Sequence, residues 1–359
     1  MRMGFIGLAN SGKSTIFNAL TGLEVETLPY ASMKDEPHLA VIDVADERID
    51  WLSEHYQPKK TIFAQLELID FAGLSEGAAK TGLFPPQAMT QIKTADALAL
   101  IVRNFPHPII DEAQGAPDPT AEVEQVETEL IISDLIVIEN RLERIELGYK
   151  RGVRTPEIQL EEKTLRRLAE HLEANEPLRG VELGAEEARV IRGFQFLSLK
   201  PLLIVVNSGE EEFGHSAELL AALGARCPAI EFAGQFEMEL ARLDAGEAAV
   251  FMEDMGITES ARDRLTRLAY ELLGYMSFFT VGKDEVRAWT IHRGDTALDA
   301  AGRIHSDLAR GFIRAEVFAY ADLRAAGSEK GLREHGQFRL EGKEYVVKDG
   351  DIVHVRFNV

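Results

Sequence analysis

The sequence predicts an α/β domain built on a parallel sheet, interrupted by a long helical hairpin and followed by a smaller α+β module. Three observations carry this. Gly7-Leu8-Ala9-Asn10-Ser11-Gly12-Lys13-Ser14-Thr15 has the spacing G-x-x-x-x-G-K-[ST] and lies between the apolar run Met3 to Ile6 and the breaker-free stretch Ile16 to Leu20, as a strand-to-helix turn would. Two continuous apolar runs, Ala97 to Val102 and Leu202 to Val206, have the character of strands covered on both faces. Between them Ile131, Leu135, Ile138, Leu142 and Ile145 recur at alternating four- and three-residue steps, and Leu165, Leu168 and Leu172 resume the pattern after a break from Gly148 to Pro156. That spacing reads as two antiparallel helices sharing one seam.

The first motif is a phosphate-binding loop. Its backbone N–H groups and the positive end of the following helix suit an anionic polyphosphate, and its glycines let the chain turn back on itself. Asn10, Ser11, Gly12, Lys13, Ser14 and Thr15 are the nucleotide-binding candidates, with Lys13 bridging the outer phosphates and the Ser14 hydroxyl on a magnesium ion. Leu39 to Val44 and Ile62 to Ile69 read as strands, the second alternating clearly. The second runs into Asp70-Phe71-Ala72-Gly73, a D-x-x-G arrangement in which Asp70 reaches magnesium through water and the Gly73 amide meets the terminal phosphate.

Leu202 to Val206 opens into Asn207-Ser208-Gly209-Glu210. In GTPases the corresponding loop reads N-K-x-D, and its carboxylate holds guanine. Here Ser208 and Glu210 replace the lysine and the aspartate, which loosens the case for guanine; a solvated acidic turn, Glu210-Glu211-Glu212, is the other reading. The hairpin seam is first a packing surface, so its basic tip around Lys150, Arg151 and Arg154 is the better contact candidate. In the final segment Val286 to Ile291 alternates like a strand and Ala297 to Leu308 reads as a helix. Strands Lys343 to Val347 and Ile352 to Phe357 are expected to flank the turn Lys348 to Asp351. With no grouping of nucleophile, base and metal ligands, this segment reads as a binding module. The expected parts are 1–120 with 195–277 for nucleotide, 121–194 for the hairpin and 278–359 for the module.

At 359 residues, with 45% apolar and 28% charged side chains, the composition is that of a soluble chain of two or three domains. No window approaches the length of a membrane span, and the first strand begins too early for a signal peptide, so a cytoplasmic protein without membrane contact is expected. The single cysteine, Cys227, excludes an internal disulfide framework and zinc sites built on paired cysteines. The formal charge of −21 opposes nonspecific nucleic-acid binding, yet Phe278 to Val359 holds 13 basic and 13 acidic residues. That neutral end is therefore a better candidate for RNA contact than the acidic part before it.

These residues resemble the YchF-type Obg-like ATPases, a branch of the P-loop GTPases. The most specific stretches are Ser277 to Gly282, Ala288 to Ile291, Gly311 to Val317 and Asp349 to Val359, which are similar to the family's ubiquitin-like TGS domain. The resemblance covers nearly the whole chain. It implies a P-loop domain with an inserted hairpin, ATP as the preferred nucleotide with GTP as the alternative, and Mg2+ as cofactor. It also implies association with the ribosome, the large subunit above all, with RNA contact through the TGS-like domain and the hairpin. Asn207 and Glu210 match the family's loosened N-x-x-E, and Asn10 corresponds to a loop asparagine that helps hold K+ in related GTPases.

Departures from the family pattern bear on catalysis. Ala9 and Ser11 replace the loop's usual proline and valine; Lys34 stands where a switch threonine is expected before Glu36-Pro37, and only a shift would use Ser32. Pro85 and Pro86 stiffen the second switch, Leu74 takes the place of a water-orienting glutamine, and Leu100 aligns with the proposed catalytic histidine. No catalytic group is identified. The expectation is slow ATP hydrolysis controlling ribosome docking, with an Obg-type GTPase and a scaffold that has lost hydrolysis as alternatives.

Overall fold

The apolar runs become strands in two separate sheets. The computed structural model describes residues 1–23, 38–71, 86–243, 245–254, 257 and 259–358. Gly73, Leu74, the first-switch candidates Ser32, Lys34, Glu36 and Pro37, and residues 81–85 of the second switch lie outside these. Residues 1–40 and 67–261 form one compact unit, and 41–66 and 262–359 form another.

One sheet contains β1 (Arg2–Ile6), β2 (His38–Asp43), β4 (Gln65–Asp70), β5 (Ala97–Asn104), β6 (Leu202–Ser208) and β7 (Ala229–Phe232) in the order β2-β4-β1-β5-β6-β7. The neighbours β4-β1-β5-β6-β7 are all parallel. Such pairs require both faces to be covered, and β5 and β6 are buried through Val102 and along all of β6. On one face Leu98, Leu100, Val102, Ile204 and Val206 join Val123, Val126 and Leu130 of the helix Pro119–Lys150.

That helix has 32 residues, about 48 Å at 1.5 Å per residue, and serves two cores. Beyond the sheet, Ile131, Ile138 and Ile145 meet Leu165, Leu168 and Leu172 of the helix Pro156–Glu173, the seam expected from the sequence. Gly152 turns the tip at φ 83°, and the Thr155 hydroxyl caps the returning helix by accepting from Ile158 N at 3.2 Å. Where the two cores meet, buried Asp134 accepts from Leu197 N at 2.8 Å, Ser198 N at 2.7 Å and the Ser198 hydroxyl at 2.7 Å. Burial pushes the Asp134 carboxyl above its usual range, against the pull of those three donors.

In the other unit, β3 (Lys60–Ile62), β8 (Tyr275–Thr280), β9 (Glu285–His292), β10 (Phe312–Ala319), β11 (Arg339–Glu341) and β12 (Asp351–Phe357) form a sheet in the order β11-β10-β12-β8-β9-β3. The helix Ala297–Ile304 lays Ala297, Ala300 and Ala301 against Phe278, Ile291, Ala315 and Val353. Its first turn is closed by a capping box between Thr296 and Asp299.

Three local expectations need correction. The stretch from Ile62 to Ile69 is two strands, because β3 pairs with β9 through Lys60, Thr61 and Ile62 whereas β4 pairs with β1. Lys343 to Val347 forms no strand beyond a single bridge at Val346. Its backbone is spent on the start of the helix Ala297–Ile304: Ala297 N donates to Tyr345 O at 2.7 Å and Leu298 N to Lys343 O at 3.3 Å, while Val347 N donates to Asp295 O at 3.0 Å. The helix expected over Ala297 to Leu308 breaks at His305, which is extended and caps a second short helix, Ser306–Arg310.

The expected boundary at Phe278 falls inside β8. Residues 41–66 group with the C-terminal residues for visible reasons. Besides the β3–β9 pairing, Arg48 bridges Asp46 at 2.8 Å and Asp349 at 3.1 Å and lies over the Phe279 ring. The Tyr56 hydroxyl donates to Glu329 at 2.9 Å.

Candidate phosphate site

The loop Gly7 to Gly12 leaves β1 and enters the helix Lys13–Thr21. Its glycines are required by contact as well as by backbone conformation. Gly7 has φ 154°, and a Cβ there would strike Ile101 O; Gly12 has φ 88°, and a Cβ there would strike the Asn207 side-chain amide. Asn10 takes the left-handed conformation at φ 63°, which asparagine tolerates better than most side chains. Helix geometry leaves the N–H groups of Lys13, Ser14 and Thr15 without partners inside the helix, and Gly12 at the cap position makes no side-chain bond to them. The helix is fixed from below by Phe17, edge-on to Phe5 of β1 at 6.1 Å.

Lys13 is buried at 7% exposure and donates from Nζ to Gly7 O and Leu8 O, both at 3.0 Å. Burial lowers the pKa of its ammonium, and the charges of Asp70 and Glu122 oppose that shift. Two neutral carbonyls are modest partners for a desolvated cation. An anionic phosphate would be a stronger one.

Asp70 arrives at the same edge of the sheet because β4 lies beside β1 with Phe5 opposite Asp70. Its Oδ2 accepts the Ser14 hydroxyl at 3.0 Å, whereas Oδ1 is buried and has no hydrogen-bond partner among the described residues. Burial raises its pKa, and Lys13 and Ser14 pull it down. An orphaned carboxylate oxygen beside a hydroxyl suits a hard divalent cation with oxygen ligands such as Mg2+. Ser14 and Asp70 would hold it.

Asn207, the last but one residue of β6, ties the loop from the other side. Its Nδ2 donates to Ser11 O at 3.0 Å, and its Oδ1 accepts from Gly234 N at 3.1 Å. Both ends of that amide serve the protein backbone. Glu210, the other candidate of this loop, is exposed. Of the remaining candidates, Ser11 is buried with its hydroxyl unpartnered among the described residues, Thr15 lies in the first turn of the helix, and Gly73 lies outside the described residues.

Leu100 is placed otherwise than a catalytic position requires. It lies in the middle of β5, fully buried, opposite Ile6 and Ile204 in the sheet core.

Several polar residues near the site escaped the sequence reading. Arg103 is buried at the end of β5, donating to Asp111 at 2.5 Å and to Gly115 O at 2.6 Å, while its backbone N–H donates to Glu122 at 3.1 Å. Asn104 and Glu231 bracket the loop after β6. Their signal was present as polar residues directly after or within apolar runs.

Comparison with known proteins agrees over the full length. Residues 2–141 match a family described as 50S ribosome-binding GTPase, and residues 275–358 match the YchF-GTPase C-terminal family, described as a protein of unknown function. The chain is 39% identical to the ribosome-binding ATPase YchF of Bacillus subtilis (strain 168), covering 99% of both proteins. It is 33% identical to Obg-like ATPase 1 of Caenorhabditis elegans, covering 100% of this chain and 92% of that one. The solved structure of the Schizosaccharomyces pombe YchF GTPase superposes with a TM-score of 0.85 at 31% identity, covering 99% of this chain and 97% of that one.

Proposed function

The chain belongs to the YchF family, and on that premise we propose that it is a ribosome-associated ATPase acting as a slow nucleotide switch. It is a P-loop nucleoside-triphosphate hydrolase. The observation that carries the reading is the convergence of Lys13, Ser14 and Asp70 at one edge of a parallel sheet, beside the first-turn N–H groups of the helix Lys13–Thr21. Mg2+ bound there would neutralise charge on the terminal phosphates. Asn10 as a helper to K+, Gly73 at the terminal phosphate, and Asn207 with Glu210 at the base are parts of the proposal, as is the cytoplasm as its location. Among the described residues no helix is long and apolar enough to cross a membrane.

Relatives carry both names, ATPase and GTPase, so the nucleotide has to be argued from residues. The Asn207 amide is occupied by Ser11 O and Gly234 N, Ser208 is buried where the guanine-specific loop has lysine, and Glu210 has a longer reach than aspartate. ATP is expected to bind at least as well as GTP in equilibrium titrations. A GTP preference of about a hundredfold, about 2.7 kcal/mol, would favour the Obg-type alternative.

For the ribosome, we assign contact to the hairpin tip and to the C-terminal module, which is TGS-like in this reading and includes 41–66 and 262–277. From Leu147 to Pro156 the tip holds Lys150, Arg151 and Arg154 and no acidic residue, in a chain of net charge −21. Basic side chains suit ribosomal RNA, and the large subunit is the proposed platform. Replacing the three by glutamate should weaken co-sedimentation with ribosomes at least about tenfold, with a weaker salt dependence, and leave ATP affinity unchanged. Unaltered co-sedimentation would remove the tip from the interface.

A further inference from the structure

The loop after β6 is held at both ends by one buried carboxylate. Glu231 of β7 lies opposite Val206 and is 8% exposed. Its Oε1 accepts the Ser208 hydroxyl, and its Oε2 accepts the backbone N–H of Gly214 at 3.1 Å. Ser208 is also a receiver: Asn104 Nδ2 donates to its oxygen at 2.8 Å and to the Ser216 hydroxyl oxygen at 3.0 Å. The backbone between closes on itself, with Gly209 N donating to Asn104 O at 3.2 Å and Phe213 N to Gly209 O at 2.9 Å. Glu210 stands exposed between the two anchors.

Burying a carboxylate is costly unless its oxygens are paired, and here each oxygen is spent on a different end of the same short loop. A serine at 208 is what lets this happen, since its hydroxyl can accept from Asn104 while donating to Glu231. We infer that Glu231 is a positioning residue for base selectivity. By fixing residues 208–214 it sets where the Glu210 carboxylate meets the exocyclic groups that distinguish adenine from guanine. The inference rests on the reading of this loop as the base-facing one, and Glu231 itself touches no nucleotide in it.

The test is the ratio of dissociation constants for non-hydrolysable ATP and GTP analogues, measured by calorimetry on the full chain. The variants are Glu210→Ala, Glu231→Ala, Glu231→Gln, Ser208→Ala and the double variant Glu210→Ala with Ser208→Ala, each checked by thermal unfolding. Glu210→Ala is expected to shift the ratio about tenfold, Glu231→Ala and Ser208→Ala to shift it similarly, and the double variant to shift it no further. Glu231→Gln keeps an acceptor for Ser208 and should restore part of the ratio. Ser208→Ala cuts the same tie with a smaller change, so the question stays answerable if Glu231→Ala does not fold. A ratio that moves with Glu210→Ala and stays fixed with Ser208→Ala overturns the role of Glu231, as does a double variant that simply adds the two effects. A ratio unmoved by Glu210→Ala overturns the base-facing reading, and the inference falls with it.

Discussion

Lys13→Ala is expected to lower the affinity for ATP and for GTP at least about a hundredfold, which corresponds to about 2.7 kcal/mol. The size follows from where the ammonium sits. It is buried in the loop, held by Gly7 O and Leu8 O, and desolvated enough for burial to lower its pKa. A cation in that state has given up water without gaining a full countercharge, so a polyphosphate recovers more from it than from an exposed lysine. The same reasoning predicts little change in folding, because removing a poorly compensated buried charge offsets the loss of two hydrogen bonds. The thermal midpoint should move by no more than a few degrees. Lys13→Met, which keeps the aliphatic stem and deletes the charge, separates packing from electrostatics and should match alanine in binding. Folded variants that retain normal affinity for both nucleotides would refute the phosphate site. Loss of affinity for one nucleotide alone would also contradict it, since the phosphates are common to both.

What could be read in advance follows a physical line. The phosphate loop was legible because its chemistry is local: the spacing from Gly7 to Ser14 dictates the backbone, and β1 and the helix Lys13–Thr21 follow from the residues on either side. β5 and β6 were legible because strands buried on both faces leave an unbroken apolar run. Periodicity gave the seam between the helices Pro119–Lys150 and Pro156–Glu173, although it did not reveal that the first three turns of the former belong to the sheet core through Val123, Val126 and Leu130.

The misses are non-local. Ile62 to Ile69 alternates straight through the point where the chain changes sheets, since alternation records which side of a strand is buried and carries nothing about its partner. Tyr345-Val346-Val347 has the composition of a strand, but Tyr345 O accepts from Ala297 N, Tyr345 N donates to Gly342 O and Val347 N donates to Asp295 O. Glu231 meets Ser208 across 23 residues, and Asn104 meets it across 104. No window of sequence contains both partners of the second bond.

Leu100→His is expected to destabilise the protein by roughly 2–4 kcal/mol and to leave turnover per folded molecule no faster than before. Alignment with a proposed catalytic histidine makes the opposite outcome attractive, because an imidazole near the phosphates could orient the attacking water. The position does not allow it. Leu100 is fully buried between Ile6 and Ile204 in neighbouring strands, within the cluster that includes Val102, Val123 and Val126. An imidazole there loses its water and meets hydrocarbon in place of partners, and its shape differs from leucine in a core packed at near-crystalline density. The cost is paid mainly as a charged or unpaired ring nitrogen, so the destabilisation should grow as the pH falls through the ordinary histidine range. The sign is fixed by burial: a ring kept neutral in the fold has a depressed pKa, takes up a proton on unfolding, and so favours the unfolded chain below about pH 6.5. Denaturant midpoints at pH 8 and pH 6, with single-turnover hydrolysis on the folded fraction, check both halves. A variant as stable as the parent that hydrolyses ATP several times faster would show that Leu100 reaches the phosphates after all.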